Sequence, residues 1–141
     1  MSDLVSVITP SYNSARFIHD CINSVLSQTY TNWEMLIVDD ASEDNWADLI
    51  SSFVAADSRI SSVFLDKNIG AAAARNIAIR EAKGRYIAFL DIDDIWKKEK
   101  LSYQINFMIK YDIAFSFSSY EPVSEDRKKI FKKIKVPSKI D

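Results

Sequence analysis

The stretch Tyr86-Ile87-Ala88-Phe89-Leu90-Asp91-Ile92-Asp93-Asp94-Ile95-Trp96 decides the reading of this chain. A β-type apolar run stops abruptly at three carboxylates packed into four residues. Clustered carboxylates repel one another and lose hydration when brought together. A divalent cation relieves that cost, and hard cations such as magnesium prefer oxygen ligands. The stretch reads as a strand whose carboxyl end opens onto a metal site. The plainer alternative is a solvated acidic turn capping the next helix, and a short motif by itself favours neither.

Working outward, the same form recurs. Residues 4–9 read as a buried strand, ended by Pro10, which cannot continue a ladder. Residues 35–38 are a second strand ending at Asp39-Asp40, and 60–65 a third, leading into Asp66-Lys67-Asn68. Between them lie helical periods. Ser14 is a natural N-cap for Phe17, Ile18, Cys21, Ile22, Val25 and Leu26, a helix running to about Gln28. Trp46, Leu49, Ile50, Phe53 and Val54 mark the second helix. Gly70 opens an alanine-rich third helix over 71–83, with Gly84 as its C′ glycine. Leu101, Ile105, Met108 and Ile109 share a face of a fourth helix, and Ile113, Phe115 and Phe117 alternate as in a fifth, half-exposed strand.

Strand and helix thus alternate four times. The pattern predicts an α/β fold, Rossmann-like, with a mainly parallel central sheet between helical layers and right-handed crossovers. Open sheets of this kind bind ligands beyond the carboxyl ends of their strands. The polar clusters Thr9-Pro10-Ser11-Tyr12-Asn13, Asp39-Asp40-Ala41-Ser42, Asp66-Lys67-Asn68 and Asp91-Ile92-Asp93-Asp94 all fall there. The chain's two glycines exclude both a glycine-rich dinucleotide fingerprint and a P-loop, so side chains and a metal must hold any nucleotide.

A length of 141 residues fits one sizeable core, and 48% hydrophobic with 27% charged residues is ordinary for a soluble globular protein. No apolar run reaches membrane-span length, and the first residues lack the zones of a signal peptide. The single cysteine, Cys21, lies in a helical apolar stripe and reads as a core thiol, consistent with a reducing, cytoplasmic setting. The lone His19, with no cysteine near it, gives no zinc site. Charge is uneven. Seven basic residues and one acid over 127–141 give +6, and eleven basic against nineteen acidic residues upstream give −8. A basic tail of that kind is suited to anionic lipid, at the inner membrane face, or is simply a solvated strand. The acidic remainder would repel nucleic acid.

These residues resemble, in order, the nucleotide-binding half of family two glycosyltransferases with the GT-A fold. The matching stretches are Val5-Ser6-Val7-Ile8-Thr9-Pro10-Ser11-Tyr12-Asn13, Ser24-Val25-Leu26-Ser27-Gln28-Thr29, Glu34-Met35-Leu36-Ile37-Val38-Asp39-Asp40-Ala41-Ser42, Asn68-Ile69-Gly70 with Ala74-Arg75-Asn76, and Gly84-Arg85 running into the opening stretch. They reach to about Tyr120. Ala41 stands where the family usually has glycine. The resemblance implies a donor-binding part over 1–120 and a tail or hairpin over 121–141 leading toward an acceptor-binding half.

It also implies roles. Pro10 and Tyr12 would wall a uracil-type base, and Asp40 would accept that base's ring N–H, with Asp39 bracing the loop. Asn68 and Arg75 would reach the nucleotide and the diphosphate-sugar, Asp91 the ribose or a metal-bound water, and Asp93 a Mg2+ or Mn2+ ion, with Asp94 supporting either of the last two. Each has a plainer reading: strand terminator, surface aromatic, helix-terminal carboxylate or surface ion pair. The implied reaction is inverting transfer of a sugar from a nucleoside-diphosphate donor, UDP-linked by this reading, to a glycan or lipid-linked acceptor in bacterial surface polysaccharide synthesis. The family's general base lies in the acceptor half, expected beyond Asp141, so the chain reads as a donor-binding fragment without a catalytic base. Rival readings are a non-catalytic donor-binding module, a nucleotidyltransferase and a response-regulator-like domain. The nucleotidyltransferase expects a glycine-rich basic loop where Pro10-Ser11-Tyr12-Asn13 stands, and the response-regulator-like domain a lysine after a late strand that here ends in Ser116-Phe117-Ser118-Ser119.

Overall fold

A computed structural model describes residues 3–136. Lys139 and the end of the basic segment lie outside the described residues. The chain divides into two compact units, one up to Leu101 and one from Ser102.

The first unit is a four-stranded, wholly parallel sheet in the order β3-β2-β1-β4. Its strands are β1 (Val5–Ser11), β2 (Trp33–Asp39), β3 (Ile60–Phe64) and β4 (Tyr86–Phe89), joined by α1 (Ile18–Leu26), α2 (Trp46–Ala56) and α3 (Ala71–Glu81). The chain first walks outward from β1 to β3 and then crosses back to β4. Right-handed crossovers place α1 and α2 on one face and α3 on the other, and the packing agrees. Ala74 and Ala78 of α3 lie against Ile8 and Val38. On the opposite face Trp46 of α2 meets Phe64 edge to face at 4.9 Å, and α1 joins α2 through His19 and Phe53 at 5.1 Å. Cys21 is a buried core thiol, as its stripe predicts. The walk reverses between β1 and β4, where an open α/β sheet presents its ligand crevice.

Several expectations are corrected. Pro10 does not end β1; it lies inside it, opposite Val38. Val5 donates to Asn32 on the β2 side, and Leu90 N–H donates to the Ile8 carbonyl on the β4 side. Backbone groups alternate sides along a strand, so Pro10 turns its missing N–H toward β4, whose pairing has already ended at Phe89. The ladder loses nothing. Ser14 does not cap α1, which begins at Ile18; its hydroxyl shares a 2.6 Å hydrogen bond with that of Ser11, and its carbonyl accepts from Phe17 N–H.

Gly84 is not a C′ glycine, because α3 stops at Glu81 and Ala82 caps it in extended conformation. Its role is space: a Cβ there would come within 2.7 Å of Leu4 O, Ser6 N and Ser6 Oγ. β3 and β4 are edge strands, so Phe64 and Phe89 stand half-exposed rather than buried.

The second unit contains most of α4 (Lys100–Tyr111). Leu101 and Ile105 of the expected apolar face are buried, whereas Ile109 is exposed. The fifth strand expected at Ile113, Phe115 and Phe117 does not form. The antiparallel pairing comes later, at Tyr120 with Ile134 and Val123 with Ile130. Phe115 and Phe117 instead lean on each other with ring centres 6.0 Å apart.

Candidate functional site

A pocket of about 640 Å³ opens at the carboxyl ends of β1 and β4, where the strand order reverses. Its walls come from four segments: Pro10 and Ser11 at the end of β1 with Tyr12 to Ser14, Arg16 and Phe17 beyond it, Asp40 after β2, Asn68 and Gly70 before α3 with Ala71 at its start, and Asp91 to Asp93 after β4. Arg75 reaches it from the second turn of α3. Pro10, Tyr12, Asp40, Asn68, Arg75, Asp91 and Asp93, all singled out in the sequence, therefore share one cavity. Asp94 lies outside its lining.

The acidic turn has a simple construction. Asp94 N–H donates to the Asp91 carbonyl at 3.0 Å, and Ile92 is buried while its acidic neighbours are exposed. Ile92 pins the turn and the carboxylates face outward. Helix capping does not explain them, since α4 starts only at Lys100. The buried Cys21 thiol makes a weak 3.8 Å contact to the Asp91 carbonyl and ties α1 to the turn. Asp91 and Arg75 form an ion pair across the pocket.

The two aspartates after β2 divide their work. Asp39 accepts from Ser42, whose N–H lies at 2.9 Å and whose hydroxyl also donates to it. Asp40, only 3% exposed, accepts from Ile69 N–H at 2.7 Å and Gly70 N–H at 2.8 Å, one per carboxylate oxygen. It is a helix-terminal carboxylate, at the start of α3 rather than α2, where the helix dipole favours negative charge. Asn68 donates to the Asp40 carbonyl at 3.3 Å. Gly70 has φ +89 and ψ 151, a region open essentially to glycine alone, and it turns the loop into α3. Gly70 and Ala71 bring the positive end of that helix to the pocket wall, a surface suited to phosphate.

Residues without a forecast role hold the rim together. Asn13, at φ +45, donates its N–H to Ser42 Oγ at 2.8 Å and accepts from Glu43 N–H at 2.9 Å. Ala15 N–H donates to Asp44 at 2.9 Å. These bonds lock the loop carrying Tyr12, 51% exposed, to the loop after β2. Gln28 is a second clamp. Its amide donates to the Ser24 and Lys97 carbonyls and accepts from Leu101 N–H, all within 3.0 Å, fixing the segment beyond the acidic turn. Arg16, with its guanidinium 4.5 Å over the Phe17 ring, adds a second cation to the lining. It lies in the turn before α1 and stays exposed, and the sequence reading did not single it out.

A divalent cation suits this donor set in one manner only. Among the described residues no group of three or more His, Cys, Asp or Glu is placed to hold a metal. The protein would supply one or two carboxylate oxygens, with phosphate and water oxygens completing the shell, which is how magnesium is ordinarily bound beside phosphates.

A family model described as Glycosyl transferase family 2 matches residues 6–139. The chain is 48% identical over 137 residues to the putative teichuronic acid biosynthesis glycosyltransferase TuaG of Bacillus subtilis, covering 97% of this chain and 54% of that protein. It is 47% identical to the Escherichia coli UDP-Glc:alpha-D-GlcNAc-diphosphoundecaprenol beta-1,3-glucosyltransferase WfgD, covering 97% and 53%. The chain spans about half the length of the curated relatives it matches. Among solved structures, S. aureus TarS 1–349 in complex with UDP superposes with TM-score 0.72 at 30% identity, over 77% of this chain and 32% of that one. The mannosyltransferase PcManGT of Pyrobaculum calidifontis, in complex with GDP-Man and Mn2+, does so with TM-score 0.69 at 27% identity, over 74% and 32%. The chain belongs to glycosyl transferase family 2, and its fold is of the GT-A type.

Proposed function

We propose that this member of glycosyl transferase family 2 carries the donor site of an inverting transferase that takes a sugar from a nucleoside diphosphate, UDP in particular, in bacterial surface polysaccharide synthesis. Residues 1–120 form the donor-binding part, and 121–141 lead on toward an acceptor-binding part. The observation that carries the reading is one pocket at the switch point lined by an aromatic face, a guanidinium and carboxylates. UDP in TarS and the UDP-Glc named for WfgD support the nucleotide; Mn2+ in PcManGT supports a divalent ion; the diphosphoundecaprenol named for WfgD supports a lipid-linked acceptor.

In this reading Tyr12 stacks on the base beside Pro10, and Asp40 takes the base N–H on a remaining lone pair while still holding the loop before α3. Asn68 contacts the nucleoside, and Arg75 leaves Asp91 for the diphosphate, freeing Asp91 for the ribose. A guanidinium suits that exchange because it is always charged and forked. Asp93 would hold a Mg2+ or Mn2+ ion, supported by Asp94. When bound, the ion offsets the negative charge that builds on the departing diphosphate. Arg75 supplies the same stabilisation from the protein side. The acceptor hydroxyl attacks the anomeric carbon from the opposite face and passes its proton to a general base of the acceptor-binding part.

Titration calorimetry with UDP, with and without Mn2+ or Mg2+, tests the site. Metal-dependent binding that Asp93→Ala abolishes is expected. Binding unchanged by chelation and by that substitution would refute the assignment.

A further inference from the structure

We propose that the arm over residues 120–135 is a docking element for an anionic lipid bilayer surface. The arm is a short antiparallel ribbon. Tyr120 and Ile134 exchange both backbone hydrogen bonds, at 3.2 and 2.9 Å, and Ser124 N–H donates to the Lys129 carbonyl at 2.9 Å. Between the bridges Tyr120↔Ile134 and Val123↔Ile130 the returning strand carries one residue more than its partner, a bulge that twists it. The turn closes on Arg127 at φ +56, and Asp126 accepts from Ser124 Oγ and Lys128 N–H.

The returning strand is exposed at every position from 128 to 135. A ribbon of two strands has no layer of its own in which to bury apolar side chains. Ile130 is 71% exposed, Phe131 54% and Ile134 44%. They alternate with Lys128, Lys129, Lys132, Lys133 and Lys135, and no acid occurs over 127–136. Apolar and cationic side chains interleaved on one exposed element match an anionic bilayer, where aliphatic groups enter the acyl boundary and ammonium groups meet the headgroups. The choice of side chains favours lipid over nucleic acid. Surfaces that hold single strands use aromatic platforms with arginine, whereas the exposed returning strand over 128–135 offers isoleucine and lysine with a single phenylalanine and no arginine. The inference does not use the donor pocket, so it stands or falls apart from the proposed transferase function.

The test is co-sedimentation of the 141-residue chain with vesicles of phosphatidylcholine alone and of phosphatidylcholine with phosphatidylglycerol. Pelleting is expected with the anionic vesicles only, with loss as salt rises. Reversal of Lys128, Lys129, Lys132 and Lys133 to glutamate should abolish it. Ile130→Ser with Phe131→Ser should reduce it severalfold while the charge is intact. Circular dichroism and UDP binding equal to wild type establish that both variants fold. Four results would overturn the proposal: equal pelleting with neutral vesicles, full pelleting by either variant, tighter capture of single-stranded RNA than of anionic vesicles, or a dimer in sedimentation velocity that the serine variant dissolves while no vesicles are bound.

Discussion

Replacing Gly84 by alanine tests how the sheet and the α3–β4 connection fit together. The added Cβ would lie 2.7 Å from Leu4 O, Ser6 N and Ser6 Oγ, about 0.7 Å inside ordinary contact. Two of the three are backbone atoms at the start of β1, held by Val5 N–H on Asn32 O and Tyr86 N–H on Leu4 O. Forcing a methyl into a packed site costs about 1–3 kcal/mol. The third atom belongs to a polar chain: Gly84 N–H donates to Ser6 Oγ at 2.8 Å, and Ser6 Oγ donates to Glu34 at 2.6 Å. Disturbing that bond to a carboxylate adds about 1.5 kcal/mol. Alanine returns about 0.4–1 kcal/mol by restricting the unfolded chain. The net expectation is a loss of roughly 2–4 kcal/mol, a fall in Tm of about 6–12 °C for a chain of this size. Urea unfolding followed by tryptophan fluorescence reads it. A Gly84→Ala protein within about 0.5 kcal/mol of wild type, the range of an ordinary surface change, would refute the close approach. If the cost disappears in a Ser6→Ala background, only the hydroxyl was in the way and the backbone argument fails.

Three further outcomes follow from single residues. Ala41 holds φ +61, a left-handed conformation that costs a side-chain-bearing residue about 1–2 kcal/mol, so Ala41→Gly should raise stability by up to about 1 kcal/mol in the same urea assay. Burial lowers Lys100 to about 8 from an ordinary 10.5. The folded protein therefore holds fewer protons than the unfolded chain between those values, and stability should rise with pH from about 8 to 10.5. The gain is bounded at about 3 kcal/mol by the shift and reduced by about 1–2 kcal/mol because Lys100 Nζ, 3.8 Å over the Trp96 ring, is favoured there when charged. Lys100→Met should remove that rise, read as the difference between the two stability–pH curves. Asp40→Ala strips acceptors from Ile69 and Gly70 N–H and should destabilise by about 2–4 kcal/mol. It should also weaken UDP more than GDP in calorimetry; equal losses would leave Asp40 a purely structural role.

The parallel sheet was legible because each strand is an apolar run that ends in a polar cluster, and the crossover rule converts that rhythm into layers. The rim was legible for the same reason, since residues at strand ends share one edge whatever the loops do. What failed depended on a partner distant in sequence. Pro10 looked like a terminator because the register that points its nitrogen away from the ladder is a tertiary fact. Gly84 looked like a helix stop because the strand it must approach begins about 80 residues earlier. Ile113, Phe115 and Phe117 alternate correctly for a strand, yet alternation names a conformation and not a neighbour, and pairing went to Tyr120 and Val123 instead. The Asn13, Ser42 and Asp44 bonds were invisible for a related reason: each is an ordinary loop residue until two loops meet.

The Arg75–Asp91 pair bears on whether the pocket can accept a donor at all. Both side chains are about one-third to one-half exposed, at 32% and 49%. An ion pair that wet contributes about 0–1 kcal/mol, because water and salt screen it and two long side chains must be ordered to make it. A diphosphate offers the guanidinium more charge than one carboxylate does, with oxygens suited to the same forked geometry. In the proposed donor complex, opening the pair would therefore cost less than a diphosphate contact to Arg75 returns. The buried alternative would have behaved differently, since breaking a desolvated pair costs several kcal/mol. Exposure at the pocket mouth is what would make the proposed exchange cheap, and it follows from Ile92: by turning inward, that residue sends Asp91 and Asp93 out to solvent on either side of itself.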